Sequence, residues 1–370
     1  MLLEEAGVPS VAVHTNVFAR LARETAHANG MPRTRQAFVP QPVVDLSRPE
    51  LRAYIEGRDA VSGRHFMQEV VEGLTRPLDA EDLSGLSFER STPRLLPPDT
   101  EENLQQHFIE NHWTDYLPVT LPTEARVAAM LKATSHPPDE IVGRMRPTSF
   151  REFWEYTVEK VAVNAVMAGA HPEYFPVILA LAASQSTAKS SSTTSMANMA
   201  VVNGPIRHEI GMNSGLGALG PYNHANVAIG RAYSLLSQNL QGGSVPGETY
   251  MGTLGNPLAY SACFAENEER SPWAPLHVQK GFKPMESAVS VFFGLRYVQE
   301  GYGPRETWQE KMRRCLCAGA HFPPLLVMDP IVARLFVERG MDTKQKLIDW
   351  CAANAELPAR EYWDDQWVQT

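Results

Sequence analysis

The chain has 370 residues, 44% of them hydrophobic and 20% charged, with a formal net charge of −9. That length supports a sizeable buried core, in two domains or one elaborate one. The acidic balance and the lack of a long basic run argue against nucleic acid as a partner. No apolar stretch reaches membrane-spanning length, so no membrane is expected; the longest, Phe175 to Ser184, suits a core helix. The N-terminal "MLLEEAGVPS" has no basic start followed by an apolar block and does not read as a signal peptide. Four cysteines, 263, 315, 317 and 351, are too irregular for a disulfide framework, so a reducing cytoplasm is the default.

In chain order, "LLEEAG" looks like the last turn of a helix. "VPSVAVHT" (Val8 to Thr15) then reads as a buried strand. The next stretch, Asn16 to Gly30, reads as a helix with Asn16 as N-cap and the glycine just past its end. Arg33 to Val43 offers a second strand, and Ser47 to Leu78 carries helical apolar spacing. Glu89 to Asn103, "ERSTPRLLPPDTEEN", is a Pro-rich polar linker and the best domain boundary. The spacing predicts helices over Phe150–Ala170 and Glu173–Ser184, with Gly169 closing the first. A Ser/Thr tract with Lys189 follows (Ser184 to Asn198), either a surface loop or a loop that meets substrate. "MAVVNG" (Met199 to Gly204) is a strand, Ala225–Leu240 a helix and Ala288–Gly294 a strand. Arg305–Ala320 reads as a helix, Pro323–Pro330 as a strand, and Val332–Gly340 and Thr343–Ala355 as helices. Alternating strands and helices argue an α/β fold. We read an incomplete βα half-domain over 1–88 and a larger mixed α/β domain over 104–370.

Two segments are dense in chemistry. Asn203 to Asn226, "NGPIRHEIGMNSGLGALGPYNHAN", contains a literal G-x-G-x-x-G at Gly215, Gly217 and Gly220. A dinucleotide fingerprint needs strand, glycines and helix in immediate succession and an acid about 20 residues on. Here the strand ends near Asn203 and no such acid follows, so NAD is not expected. Glycines beside a helix start still suit an anion, because exposed N–H groups point outward there. Asn213, Asn223 and Asn226 would join Gly215, Gly217 and Gly220 in that role. A turn-rich crossover without ligand is the other reading. His208 and His224 add hydrogen-bonding groups.

The second segment, Gly255 to Phe282, brings Cys263, Glu266, Glu268, Glu269 and His277 within fifteen positions. His208 or His277 would serve as acid/base, Glu266 as base, and Cys263 as thiol. Cys263 and His277 are also candidate metal ligands, which makes a transition metal a possible cofactor. The bland alternatives are a small buried hydrophobe at Cys263, a solvated acidic turn at "ENEE" and a packed His277. Cys315 and Cys317 lie two apart on a helix and point away from each other, which speaks against a two-thiol metal site.

The first 78 residues resemble the C-terminal part of the UGSC (seleno)protein family, on "LEEAGVPSVAVHTNVFARLA", "GMPRTR" and "VVEGLTRPL". Val163 to Phe293 resembles an associated bacterial family of unsettled function, on "VMAGAHPEYFPVILA", the glycine-loop segment and "ENEERSPWAPLHV". The first resemblance implies that a redox-type motif, absent here, precedes "LLEEAG", and that a separately encoded chain completes the half-domain and brings the thiol or selenol. The expected function is then a subunit of a heteromeric cytoplasmic enzyme, an oxidoreductase or lyase. It would use a Cys- or selenocysteine-type centre, metal-bound or not, on a small anionic or sulfur-containing metabolite. The alternative is a non-catalytic subunit that stabilises or activates such a complex.

Overall fold

The computed structural model describes residues 8–28, 34–43, 46–77, 93–144, 155–189, 197–241, 256, 263–294, 307–317, 325–356, 358 and 360. The expected helix end at "LLEEAG" and residues 190–196 of the Ser/Thr tract lie outside these residues. The fold is mixed α/β, in two compact units: residues 1–98, 144–155 and 360–370, and residues 99–143 and 156–359.

The first unit starts with β1 (Val11–Thr15), a short 3-10 turn, α1 (Ala19–Ala28) and β2 (Arg35–Val39). The strands pair in parallel, Val11 opposite Arg35 through Thr15 opposite Val39. Parallel pairing needs a crossover, and α1 supplies it. Helices α2 (Arg48–Glu56) and α3 (Phe66–Thr75) follow. Ser47 and Glu50 form a reciprocal capping box on α2, with Pro49 in its first turn. Buried Asp59 accepts from Phe38 N at 2.6 Å and from Val61 N and Ser62 N, which pins the loop after α2 to β2. Val13, in the middle of β1, is 53% exposed.

The second unit begins with α4 (Glu101–Glu110) and α5 (Glu124–Leu131), each capped by a threonine, Thr100 and Thr123. Strands β3 (Ile141–Arg144) and β4 (Glu155–Thr157) form a two-stranded sheet. The helix expected from Phe150 begins only at Val158: α6 spans Val158–Met167, and Thr157 caps it by accepting from Lys160 N. Helix α7 (Phe175–Ala183) leads to β5 (Ala197–Asn203), every residue of which is buried. The four-residue α8 (Ile206–Glu209), the glycine loop, α9 (His224–Asn239), β6 (Cys263–Ala265), α10 (Leu276–Gln279) and β7 (Ala288–Gly294) follow. The sheet order is β6-β5-β7, with β6 parallel and β7 antiparallel to the central β5. Val161, Ala162 and Ala165 of α6, Phe175, Ile178 and Leu181 of α7, and Ile229, Ala232 and Leu236 of α9 are fully buried and make the main core.

The chain closes with α11 (Trp308–Cys317), α12 (Pro330–Val337) and α13 (Lys344–Asn354). The strand expected over Pro323–Pro330 is not formed at 325–329. Pro330 opens α12, and Asp329 caps it by accepting from Ile331 N at 2.7 Å. An Asp-Pro pair starts a helix here because the ring presets φ and the carboxylate takes an otherwise free N–H. Trp273, Ala333, Phe336, Met341 and Leu347 form a second apolar cluster.

Candidate carboxylate–histidine site

The parallel strands β5 and β6 deliver two chain segments to the same end of the sheet. Asn203 closes β5, and Glu266 follows β6 with its N–H bonded to Val202 O. Past Asn203 the chain turns through Gly204, whose φ is +84°, and a Cβ there would collide with Glu286 O. Only glycine fits both the left-handed backbone and the contact. The turn carries Arg207 back over the carboxylates.

Glu268 is the hub. Asn203 Nδ2 and Gly204 N donate to its Oε1, at 3.0 and 2.8 Å, and Arg207 Nε forms an ion pair with it at 3.0 Å. Its Oε2 takes no hydrogen bond from a described residue. Glu266 is engaged on both oxygens: Lys344 Nζ reaches Oε1 at 2.5 Å, and Asn203 Nδ2 and Leu276 N reach Oε2 at 2.6 and 2.7 Å. Arg207 is 3% exposed. Its Nε is shared with Gly204 O, one Nη donates to Glu266 O at 2.7 Å, and the other meets Glu269 Oε1 at 2.9 Å. His208 Nε2 also approaches Glu269 Oε1 at 2.9 Å, on the exposed rim. The Arg207 hydrogen bonds, opposed in part by burial and helped by His208, hold the Glu269 carboxyl at about 2.

His277, the second residue of α10, is 1% exposed, and among the described residues neither ring nitrogen has a hydrogen-bond partner. Its Nδ1 lies 3.9 Å from Glu268 Oε1, beyond direct bonding distance. Asn203 is fully buried as well, and its Oδ1 is likewise unpartnered. Two buried side chains around one carboxylate thus hold unused hydrogen-bonding capacity, which a protein interior rarely leaves unmet.

Of the residues singled out from sequence, Glu266, His208 and His277 come together here, with Glu268 and Glu269. Cys263 lies three residues upstream of Glu266, at the head of β6, opposite Ala200. It is buried, and burial pushes its thiol up to about 12. Among the described residues no three His, Cys, Asp or Glu side chains are arranged to hold a metal. Asn203, Arg207 and Lys344 were not singled out. Their partners lie roughly sixty to eighty positions away in sequence, and no local pattern marks such pairings.

The glycine loop is built from its own asparagines. Asn213 Nδ2 donates to Asn223 Oδ1 and Leu216 O, and Asn213 Oδ1 accepts from Gly215 N. Asn223 Nδ2 donates to Gly217 O and Gly220 O. Buried Asn226 accepts from Asn213 N and donates to Asn213 O and Ala218 O. Gly217 has φ +70°. The side chains expected to hold an anion therefore spend these bonds on the loop's own fold. The contacts between the two sequence segments run through Asn203, Gly204, Arg207 and His208 rather than through the glycines.

Residues 1–74 match the model of the UGSC family, and the carboxylate–histidine site lies outside that match. No curated protein and no solved structure matches the chain. Among the described residues no helix is long and apolar enough to cross a membrane.

Proposed function

We propose that this chain is a subunit of a heteromeric cytoplasmic enzyme, in which Glu268 and His277 move a proton on a small-molecule substrate. The observation that carries the reading is the buried, unpartnered imidazole of His277 beside a carboxylate with one open oxygen. A carboxylate near an imidazole stabilises its charged form, as acid–base chemistry requires. Asn203, Gly204 and Arg207 hold Glu268 in place. Glu268 takes the role expected of Glu266, because both Glu266 oxygens are engaged. The fit is to lyase chemistry, with proton removal and return and no electron transfer by this chain. Cys263, held neutral by burial, packs in the core here rather than acting as a thiolate. A redox step would draw its thiol or selenol from a partner chain. Exposed Val13 on a two-stranded parallel sheet supports such a partner, since parallel sheets are usually covered on both faces.

The competing role is a stabilising subunit, favoured by the Arg207 network, which would then be a structural staple joining β5 to the segment after β6. The two are separated by deuterium uptake from solvent into candidate metabolites, followed by NMR on the complex co-purified with the product of the neighbouring gene. His277→Asn and Glu268→Gln should abolish uptake in assembled complexes. Uptake that persists in both variants, or that never occurs, leaves the stabilising role.

A further inference from the structure

We infer that the carboxylate–histidine site takes the protonated nitrogen group of its ligand, an ammonium, amidinium or guanidinium, and not an anion. The inference rests on the reading of Glu268 and His277 as the working pair, and it names the class of molecule that pair accepts.

Charge comes first. The bonded network sets three carboxylates, Glu266, Glu268 and Glu269, against two fixed cations, Arg207 and Lys344. With His208 counted as neutral, one negative charge remains beyond these two cations, at a site where Arg207, Asn203 and His277 are buried. A cation entering there is attracted more strongly than it would be in water.

The hydrogen-bond inventory points the same way. Most donors of the site already serve its own carboxylates. Asn203 Nδ2 serves Glu266 and Glu268, Gly204 N serves Glu268, Leu276 N serves Glu266, and Lys344 Nζ serves Glu266. Arg207 donates to Glu269 and two main-chain carbonyls and pairs by charge with Glu268. An anion would compete with these carboxylates for the same donors. Among the described residues, what stands open is mainly acceptor capacity, Asn203 Oδ1 and Glu268 Oε2, beside the two ring nitrogens of His277. A protonated nitrogen group offers two or more N–H donors and fills that need. The expectation of an anionic group then attaches to the glycine loop and the start of α9 alone.

The test uses the full chain at constant ionic strength, with methylguanidine, methylammonium, acetate and phosphate as probes. Binding is read from the ring resonances of His277 and from thermal shift. The expected result is saturable perturbation of the His277 ring by methylguanidine or methylammonium and none by acetate or phosphate. Glu268→Gln should weaken the cation at least tenfold. If that variant does not fold, the wild-type ring resonances decide alone. Binding of acetate or phosphate at His277 overturns the inference, and so does silence from all four probes. Cation binding without deuterium uptake in any substrate would remove the acid–base reading and leave this one. Anion binding with uptake intact would do the reverse.

Discussion

Replacing Arg207 with glutamine removes one cation from a buried network, and the size of the effect can be worked out. The side chain is 3% exposed and pairs with Glu268, whose side chain is 11% exposed, and Glu269, whose side chain is 53% exposed. Breaking a buried ion pair costs about 3–5 kcal/mol, because the remaining charge is left unpaired. Glu268 keeps Asn203 Nδ2 and Gly204 N, so the low end applies, about 3 kcal/mol. Glu269 is half in solvent, and its share is below about 1 kcal/mol. The surrounding unit has about 250 residues. At about 2.1 cal/mol/K of unfolding entropy per residue, the loss converts to a fall in Tm of about 6 °C. Scanning calorimetry of the full chain at neutral pH measures it directly. Acid supplies a second check. The Glu269 carboxyl is held at about 2, below its ordinary value of 4.5. Its contribution is therefore complete above pH 4.5 and disappears as pH falls toward 2. The gap between wild type and Arg207→Gln should narrow over that interval. A Tm within about 1 °C of wild type, where about 6 °C is expected, would refute the reasoning, as would a gap that widens in acid.

Three further outcomes are expected. Cys263, with its thiol near 12, should resist iodoacetamide at pH 8 in the folded chain and react at the rate of a free thiol in urea; its contribution to stability should fade as pH rises above 9, where the unfolded thiol ionises, which a pH series of urea melts would read. Asn226→Ala deletes three hydrogen bonds of a buried side chain; it should cost about 2–3 kcal/mol and speed hydrogen exchange over Asn213 to Gly220. Gly204→Ala meets both a left-handed φ and the Glu286 carbonyl; a loss of at least about 2 kcal/mol in denaturant melts is expected, and an unchanged midpoint would contradict the packing described at the turn.

The parts of the fold that sequence made readable are those set by local pattern. Helix α9 and strands β5 and β7 fall where apolar spacing puts them, and the failed dinucleotide motif follows from the distance between strand and glycines. The misreadings have local causes too. Thr157 and Asp329 are caps, and each outranked the apolar run around it: Thr157 delayed α6, and Asp329 with Pro330 turned an expected strand into a helix start. The candidate site was half visible. "ENEE" and His277 announce themselves as titratable groups in an odd stretch, but which carboxylate stays open depends on Lys344 and Asn203, reached only through tertiary folding. Sequence alone offers Glu266 as the base, and only the fold brings Lys344 onto it.

Asn203 and Gly204 also form the sequence pair most prone to spontaneous deamidation, in which the glycine nitrogen attacks the asparagine side-chain carbon to close a succinimide. Here both reactants are restrained. Gly204 N donates to Glu268, and the Asn203 amide is tied to Glu266 and Glu268 at the end of a buried strand. Unfolding releases both at once. Each excursion from the native state thus exposes the chain to a slow, irreversible ageing reaction. Its product places an aspartate between two carboxylates that had been receiving its N–H groups. A molecule altered in this way refolds against like charge at the centre of its own site, so the chemical lifetime of this Asn-Gly pair follows the time it spends unfolded.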